Sequence, residues 1–394
     1  MVPKGWKKTH LKCVISGAIK NGYSPLPAST TTGYWVLSLG ALTDHGINPL
    51  EIKPVVVDEK VKQALLSHGD FLISRSNTPD KVGRSIRFKN EVQNCSYPDL
   101  MMRFCVDATK ADPDYIEIKL KSTGVRQYYK SCAAGSSSSM VKINKAVVEN
   151  TPLLLPPFPE QKKIAQILST WDKAITTTEQ LLANSQQQKK ALMQQLLTGK
   201  KRLLDKNGVR FSGEWKNTAI CNLLSISKGQ QLNRDTLSDI GEFPVINGGV
   251  TPSGYTDQYN MAANTITISE GGNSCGYVSY QDKPFWCGGH CYVVENLKLD
   301  LNFTYQLLKN NEAAIMQLRV GSGLPNIQKK ALNSFLVHYP QNRDEQQKIA
   351  TILSTADREI SALQQKLDAL KQEKKALMQQ LLTGKRRVKV EEAA

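Results

Sequence analysis

Seam positions alternate at steps of four and three through two long stretches of the chain. In the first they are Ile164, Leu168, Trp171, Ile175, Thr178, Leu182, Ser185, Lys189, Leu192 and Leu196. In the second they are Ile349, Leu353, Ala356, Ile360, Leu363, Leu367, Leu370, Lys374, Leu377 and Leu381. This spacing predicts two long amphipathic helices with heptad seams. Pro159 suits a first helical turn, and Asp344 followed by Gln347 has the form of a capping box. Gly199 and Gly384 suit the left-handed position that closes a helix. Each pattern covers about 38 residues, roughly 57 Å at 1.5 Å per residue. Either helix alone would leave a row of Leu and Ile in water, so the two seams are expected to bury against each other. Lys189 and Lys374 interrupt the apolar row and are read as an end or a partner surface.

Outside these stretches the apolar runs are short and β-rich. Before the first helix they are Tyr34 to Leu39, Pro54 to Val57, Phe71 to Ser74 and Tyr115 to Leu120. Between the helices they are Pro244 to Ile246, Thr265 to Ser269, Tyr277 to Tyr280 and Cys291 to Val294. Faint parallels link the two regions. Gly5-Trp6-Lys7 matches Glu214-Trp215-Lys216, Phe71 to Arg75 matches Ile266 to Glu270, and Gly135-Ser136 matches Gly321-Ser322. They read as two divergent copies of one α/β domain.

The helical segments are nearly the same text. At a constant offset of 185, about 27 of the 43 residues from Glu160 to Arg202 are identical to those from Glu345 to Arg387, which marks an internal duplication. The layout is variable, constant, variable, constant. Seam positions account for the repeated Leu residues but not for repeated Lys190, Gln194 and Gln195, which suggests that something else is bound twice.

Length and charge narrow the class. The 394 residues allow two to four domains, and 40% hydrophobic residues suffice for packed cores. A net charge of +16 favours a polyanionic partner. Its distribution is uneven: +8 over residues 1–155, +4 over 156–205, +1 over 206–340 and +3 over 341–394. The nearly neutral third segment, if it binds nucleic acid, has to rely on shape and hydrogen bonds. No apolar run is long enough to span a bilayer and the N-terminus has no signal-peptide core, so a cytoplasmic protein without a membrane partner is expected. The cysteines at 13, 95, 105, 132, 221, 275, 287 and 291 form no disulfide framework.

Polar loops follow several strands: Ser74 to Thr78, Gly135 to Ser139, Asn247 to Thr251, Gly271 to Ser274, and Gly321 to Gly323. Such loops can bring backbone N–H groups to DNA, and Arg, Asn and Gln can make two-point contacts with base edges. The DNA-binding candidates are Arg75, Asn77, Lys228, Arg234, Asn247, Thr251, Tyr255 and Asn273. Lys81, Arg84 and Arg87, with Lys89, are candidates for phosphate contact. Tyr259 is a second stacking candidate. Pro113-Asp114 with Glu117 and Lys119 spells a metal-dependent nuclease motif, but its two-residue gap is too short for that architecture, and one alternating strand explains it better. Cys275, Cys287, His290 and Cys291 lack a standard zinc spacing, so no metal is expected. No phosphate loop, nucleophile elbow or methyltransferase motif is present.

The EQxKIAxILS and KKALMQQLLTGK segments, each present twice, are the most specific part of a resemblance to the specificity subunit of Type I restriction-modification systems. Gly5-Trp6, the Phe71-Leu72-Ile73-Ser74-Arg75-x-Asn77 stretch and Pro156-Pro157-x-Pro159-Glu160-Gln161 extend it over nearly the whole chain. The resemblance implies a mixed α+β fold with a pseudo-two-fold internal repeat. Two strand-rich target-recognition domains, 1–155 and 206–340, would be joined by conserved long helices within 156–205 and 341–387 that form an antiparallel coiled coil, with a tail over 388–394. It implies a non-catalytic subunit of a bacterial or archaeal complex that binds double-stranded DNA together with two modification subunits and restriction subunits. S-adenosylmethionine, ATP and magnesium would belong to those partners, with no cofactor in this chain. Two different domains on a scaffold of fixed length imply an asymmetric bipartite target. Two rivals are a coiled-coil scaffold with two protein-binding domains and a nuclease built on Asp114, Glu117 and Lys119.

Overall fold

The computed structural model of the chain describes residues 2–44, 46–137, 140–321 and 323–390. Ser138, Ser139 and Ser322 of the polar loops, and the last residues of the tail, lie outside the described residues. Both heptad patterns are helices of 39 residues, Phe158–Leu196 and Arg343–Leu381. Gly199 and Gly384 close them at φ +73° and +70°, values open to a residue without a Cβ. The start of the second helix differs from the capping box expected at Asp344. Asn342 Oδ1 accepts from the N–H groups of Asp344 (2.9 Å) and Glu345 (3.2 Å). Asn342 is thus the cap, and Asp344 falls inside the first turn.

The described residues divide into two compact units. One joins the chain up to Thr177 with the segment from Leu367 onward; the other is Thr178–Lys366. Each unit therefore owns one strand-rich domain, the start of one long helix and the end of the other.

The two domains share one topology. In the first unit a four-stranded antiparallel sheet runs in the order Ile15–Asn21, Met101–Val106, Phe71–Ser74, Ser85–Arg87. In the second the order is Ser225–Lys228, Cys291–Glu295, Thr265–Ser269, Val278–Gln281. Each domain adds a three-stranded sheet containing one parallel pair. That pair is Trp35–Leu37 with Cys95–Ser96 in the first and Phe243–Ile246 with Trp286–Cys287 in the second. Each closes with a strand from its beginning against one from its end: Lys7–His10 with Pro152–Leu155, and Trp215–Ala219 with Leu336–Pro340.

Tyr115 to Leu120, read as a strand, is instead part of the helix Pro113–Lys121. Asp112 caps it by accepting from the Tyr115 N–H at 2.9 Å, and Pro113 occupies the first turn, where a missing N–H costs nothing. Period 2 and period 3.6 cannot be told apart over six residues; the Asp-Pro signal decides here. The same place in the second domain holds the helix Leu301–Asn310, capped by Asp300.

Seam residues are shared with these domains. Ile164, Leu168 and Leu381 join the first core with Tyr115, Ile116 and Phe104. Leu196, Ile349 and Leu353 join the second with Phe303, Leu307 and Ile268. Thus Leu168 and Leu353, equivalent under the repeat, are both fully buried, whereas Leu363 is only half-buried.

Helix pairing within each unit is antiparallel, and an ion pair crosses between the two helices. Lys374 pairs with Asp172 in the first unit, and Lys189 with Asp357 at 2.5 Å in the second. These pairs are equivalent under the 185-residue offset, so the lysines expected to mark an end or a partner surface instead each meet an aspartate on the opposite helix. A second equivalent pair lies at the helix ends. Arg387 holds Glu160 through two N–H···O bonds of 2.7 and 2.8 Å, and Arg202 holds Glu345 through two of 2.6 and 2.7 Å. Beside each glutamate, Gln161 and Gln346 accept from the backbone N–H of Asp112 (2.9 Å) and Asp300 (3.1 Å). The repeated Glu-Gln dipeptide is therefore a junction that docks the capped helix of each domain. Lys190, Gln194 and Gln195, and their repeats Lys375, Gln379 and Gln380, are exposed.

The nuclease-like letters are placed for structure. Asp114 pairs with Arg87. Burial alone would push the Glu117 carboxyl up, yet Lys121, Lys89 and Arg87 hold it below its ordinary value. Lys119 is buried, its Nζ donating to the Leu382 carbonyl at 2.8 Å, and desolvation brings its pKa down to about 8. An unfolded lysine keeps its proton to about pH 10.4. Between about pH 8 and 10 the unfolded chain binds more protons, so this residue makes stability rise with pH, by about 3 kcal/mol in full. We expect wild type to gain on Lys119→Met by that order across this window in urea titrations; parallel pH profiles would contradict it.

Among the described residues, no helix is long and apolar enough to cross a membrane. Cys275, Cys287 and Cys291 are buried, and among the described residues no group of three or more His, Cys, Asp and Glu side chains is placed to hold a metal.

Candidate nucleic-acid interface

In the second unit, loops leaving adjacent strands converge at one end of the sheets. The Asn247 amide turns inward, its Oδ1 accepting from the His290 N–H at 3.0 Å. Gly248, at φ +86°, lies so close to the His290 carbonyl that a Cβ would come within 2.6 Å of it. Ser269 and Ser274 hydroxyls both donate to the Gly248 carbonyl, at 2.5 and 2.6 Å. The Gly272 N–H donates to the Pro325 carbonyl at 2.9 Å, which ties in the turn bridged between Val320 and Asn326. The Asn-Gly-Gly stretch thus acts as a frame that aligns the other loops, with Asn247 facing into it.

The side chains this frame leaves in solvent are polar. Thr251, Asn273, His290 and Asn326 are exposed, as are Arg234 and Arg319. No ion pair within the second unit engages either arginine among the described residues, so both can meet a phosphate or a base edge. Lys228 differs: its Nζ lies 2.8 Å from the Glu270 carboxylate. Tyr255 is half-buried in a short strand beside Phe243–Ile246, whereas Tyr259 is exposed and meets the Phe243 ring at 5.0 Å.

The first unit builds the equivalent end from other residues. The Arg75 and Ser76 N–H groups donate to the Leu100 carbonyl, and the Ile143 N–H donates to the Arg75 carbonyl. The Arg75 side chain is half-exposed, with a long 3.4 Å contact to the Asp99 carbonyl. Asn77 is buried: its Nδ2 donates to Ser74 Oγ and its Oδ1 accepts from the Thr78 N–H. Arg84 binds the Leu42 carbonyl and the Asp44 carboxylate, and Arg87 is held by Asp114 and Glu117. Lys81 remains exposed. The basic stretch from Lys81 to Lys89 is therefore partly internal bracing, because Arg87 meets Asp114 and Glu117 on the neighbouring helix and Arg84 meets Asp44.

Of the sequence candidates, Lys81, Arg234, Thr251 and Asn273 are exposed and Arg75 is half-exposed. Asn77, Arg84, Arg87, Lys228 and Asn247 are engaged inside their own domain. Arg319, His290 and Asn326 join the exposed polar groups only in the structure. Their signal was weak, since only the fold brings residues 290 and 326 beside 247.

A family model described as the Type I restriction modification DNA specificity domain matches residues 59–184 and 212–372. A protein named as a type I specificity subunit in Mycoplasma genitalium is 36% identical over 152 residues, 38% of this chain. The chain spans 39% of that relative's length. A type I restriction enzyme specificity subunit of Methanocaldococcus jannaschii is 24% identical over 98% of this chain and 95% of its own. The crystal structure of a type I restriction-modification S subunit from M. genitalium shares the fold, with a TM-score of 0.71, 16% identity and 96% of each chain covered.

Proposed function

Because the chain belongs to the Type I restriction-modification DNA specificity family, we propose that each of its two domains reads one short block of double-stranded DNA, and that the full target is bipartite and asymmetric. The observation that carries this reading is one topology built twice, with equivalent loop ends that carry different solvent-facing polar side chains. One topology with two different loop surfaces suits two different base sequences. Exposed Lys190, Gln194 and Gln195 and their repeats fit a partner that docks twice. We take these partners to be two modification subunits supplying S-adenosylmethionine chemistry, joined by restriction subunits that use ATP and magnesium. This chain contributes recognition and no catalysis, and acts in the cytoplasm.

The test is to co-express the chain with its cognate modification subunit in a host lacking DNA methylation and map every methylated base. One asymmetric two-block motif is expected. No methylation from an assembled complex would favour a protein-binding scaffold instead. Side-chain roles separate by salt. Arg234→Ala as a phosphate contact weakens binding to all sequences alike and lowers the salt slope by about one unit. Arg75→Ala as a base contact costs about 1–3 kcal/mol on one block only.

A further inference from the structure

Counted back from the matched strands that follow them, Met140 and Leu324 occupy corresponding places, at the end of loops that differ in length by two residues. Lys142 pairs with Ser76 and Asn326 bridges Gly271, one step beyond the matching Arg75 and Glu270. The next residues, Ile143 and Ile327, donate their N–H groups to the Arg75 and Glu270 carbonyls, both at 2.9 Å. Two residues further on, matching short helices begin, Lys145–Glu149 and Lys329–Asn333. Met140 and Leu324 each stand three residues before the isoleucine.

Both are large, apolar and out in water, Met140 42% and Leu324 86% exposed. A lone exposed leucine is unremarked on any surface. Here the place three residues before the matched isoleucine is apolar in both domains, although the neighbouring loop residues have diverged. Leu324 is not free to fold back onto the core, because its turn is pinned by the Val320–Asn326 bridge and by the bond from Gly272 to Pro325. Its immediate neighbours are Gly323 and Pro325. The turn is tied to the Gly271–Ser274 loop, where Asn273 is exposed. The second domain is also the one with almost no net charge, so a charge-independent source of binding is what it lacks.

Resting on the DNA-reading function above, we propose that Leu324 and Met140 are apolar wedges, each inserting between adjacent bases of the block its domain reads. Leucine and methionine are among the side chains that unstack a base step in this way. The wedge recovers on binding the apolar burial that it forgoes in the free protein.

The test uses the full chain with its modification subunits and duplexes carrying the mapped target, with a fluorescent base analogue placed in turn at each position other than the methylated base. Fluorescence is expected to rise at one step in each block. Leu324→Ser should remove the rise in the second domain's block, weaken specific binding roughly tenfold and leave the salt slope unchanged. Met140→Ser should do the same in the other block, and Leu324→Met should keep the rise. The side chain is exposed, so an unchanged melting temperature is expected for Leu324→Ser. Sequence-specific binding with no rise at any step, or a rise that survives Leu324→Ser, overturns the wedge and leaves the DNA-reading function standing. If the wild-type complex binds without sequence preference, both fall.

Discussion

Leu353→Ala is expected to destabilise the second unit by about 2–5 kcal/mol, and Leu168→Ala the first unit by a similar amount. Both residues are fully buried where a long helix meets a domain core. Removing three carbons at such a junction loses transfer free energy and leaves a cavity that a helix carrying one face of the core cannot easily close. Leu363→Ala, half-buried on the same seam, should cost visibly less. Urea unfolding gives the magnitudes, and limited proteolysis identifies which unit opens first. Equal losses at Leu353 and Leu363 would mean that the seam is buried chiefly between helices and that the domain core adds little.

Arg202→Ala should cost about 3–5 kcal/mol, because it leaves the Glu345 carboxylate buried without its partner. The Glu345 side chain is 1% exposed and receives both N–H bonds from the guanidinium. Arg387→Ala, its equivalent in the first unit, should cost less. Arg387 is itself 45% exposed, and Glu160 keeps a 3.0 Å bond from the Trp6 indole N–H after the arginine is lost. Trp215, the counterpart of Trp6, has a buried indole N–H without a hydrogen-bond partner. Adding Glu345→Ala to Arg202→Ala should restore part of the loss, since the unpaired charge is then gone. A double-mutant cycle measures the coupling. A cycle with no coupling, or equal costs for the two arginines, would show that these clamps do not hold the helix ends.

The candidate interface depends on similar long-range joins. Its frame is built from residues 247, 269, 274, 290 and 325, which lie in four separate segments of the chain. A change at Asn247 or Gly248 is therefore expected to act by misplacing its neighbours, whereas one at Arg234 or Asn273 acts at the surface itself. This distinction is visible in hydrogen bonds and not in composition, because Asn and Gly suit both a DNA-facing loop and an internal brace.

Local physics made much of the chain legible in its sequence. Heptad spacing and closing glycines are properties of consecutive residues, so both long helices, their duplication and the split into two diverged domains could be read directly. The repeated motifs pointed to the family for the same reason. Tertiary structure decided what local pattern leaves open. Six alternating residues at Tyr115 to Leu120 fit a strand or a helix until the Asp112 cap and the packing of Tyr115 and Ile116 select the helix. Lys189 and Lys374 break the seam when seen alone, and become part of it only beside Asp357 and Asp172 on the opposite helix. Arg84 and Arg87 resemble a basic patch until Asp44, Asp114 and Glu117 are brought against them. For the charged residues the deciding partner is remote in the chain, and a charge or a hydrogen-bonding group acquires its role from what stands within a few ångströms of it.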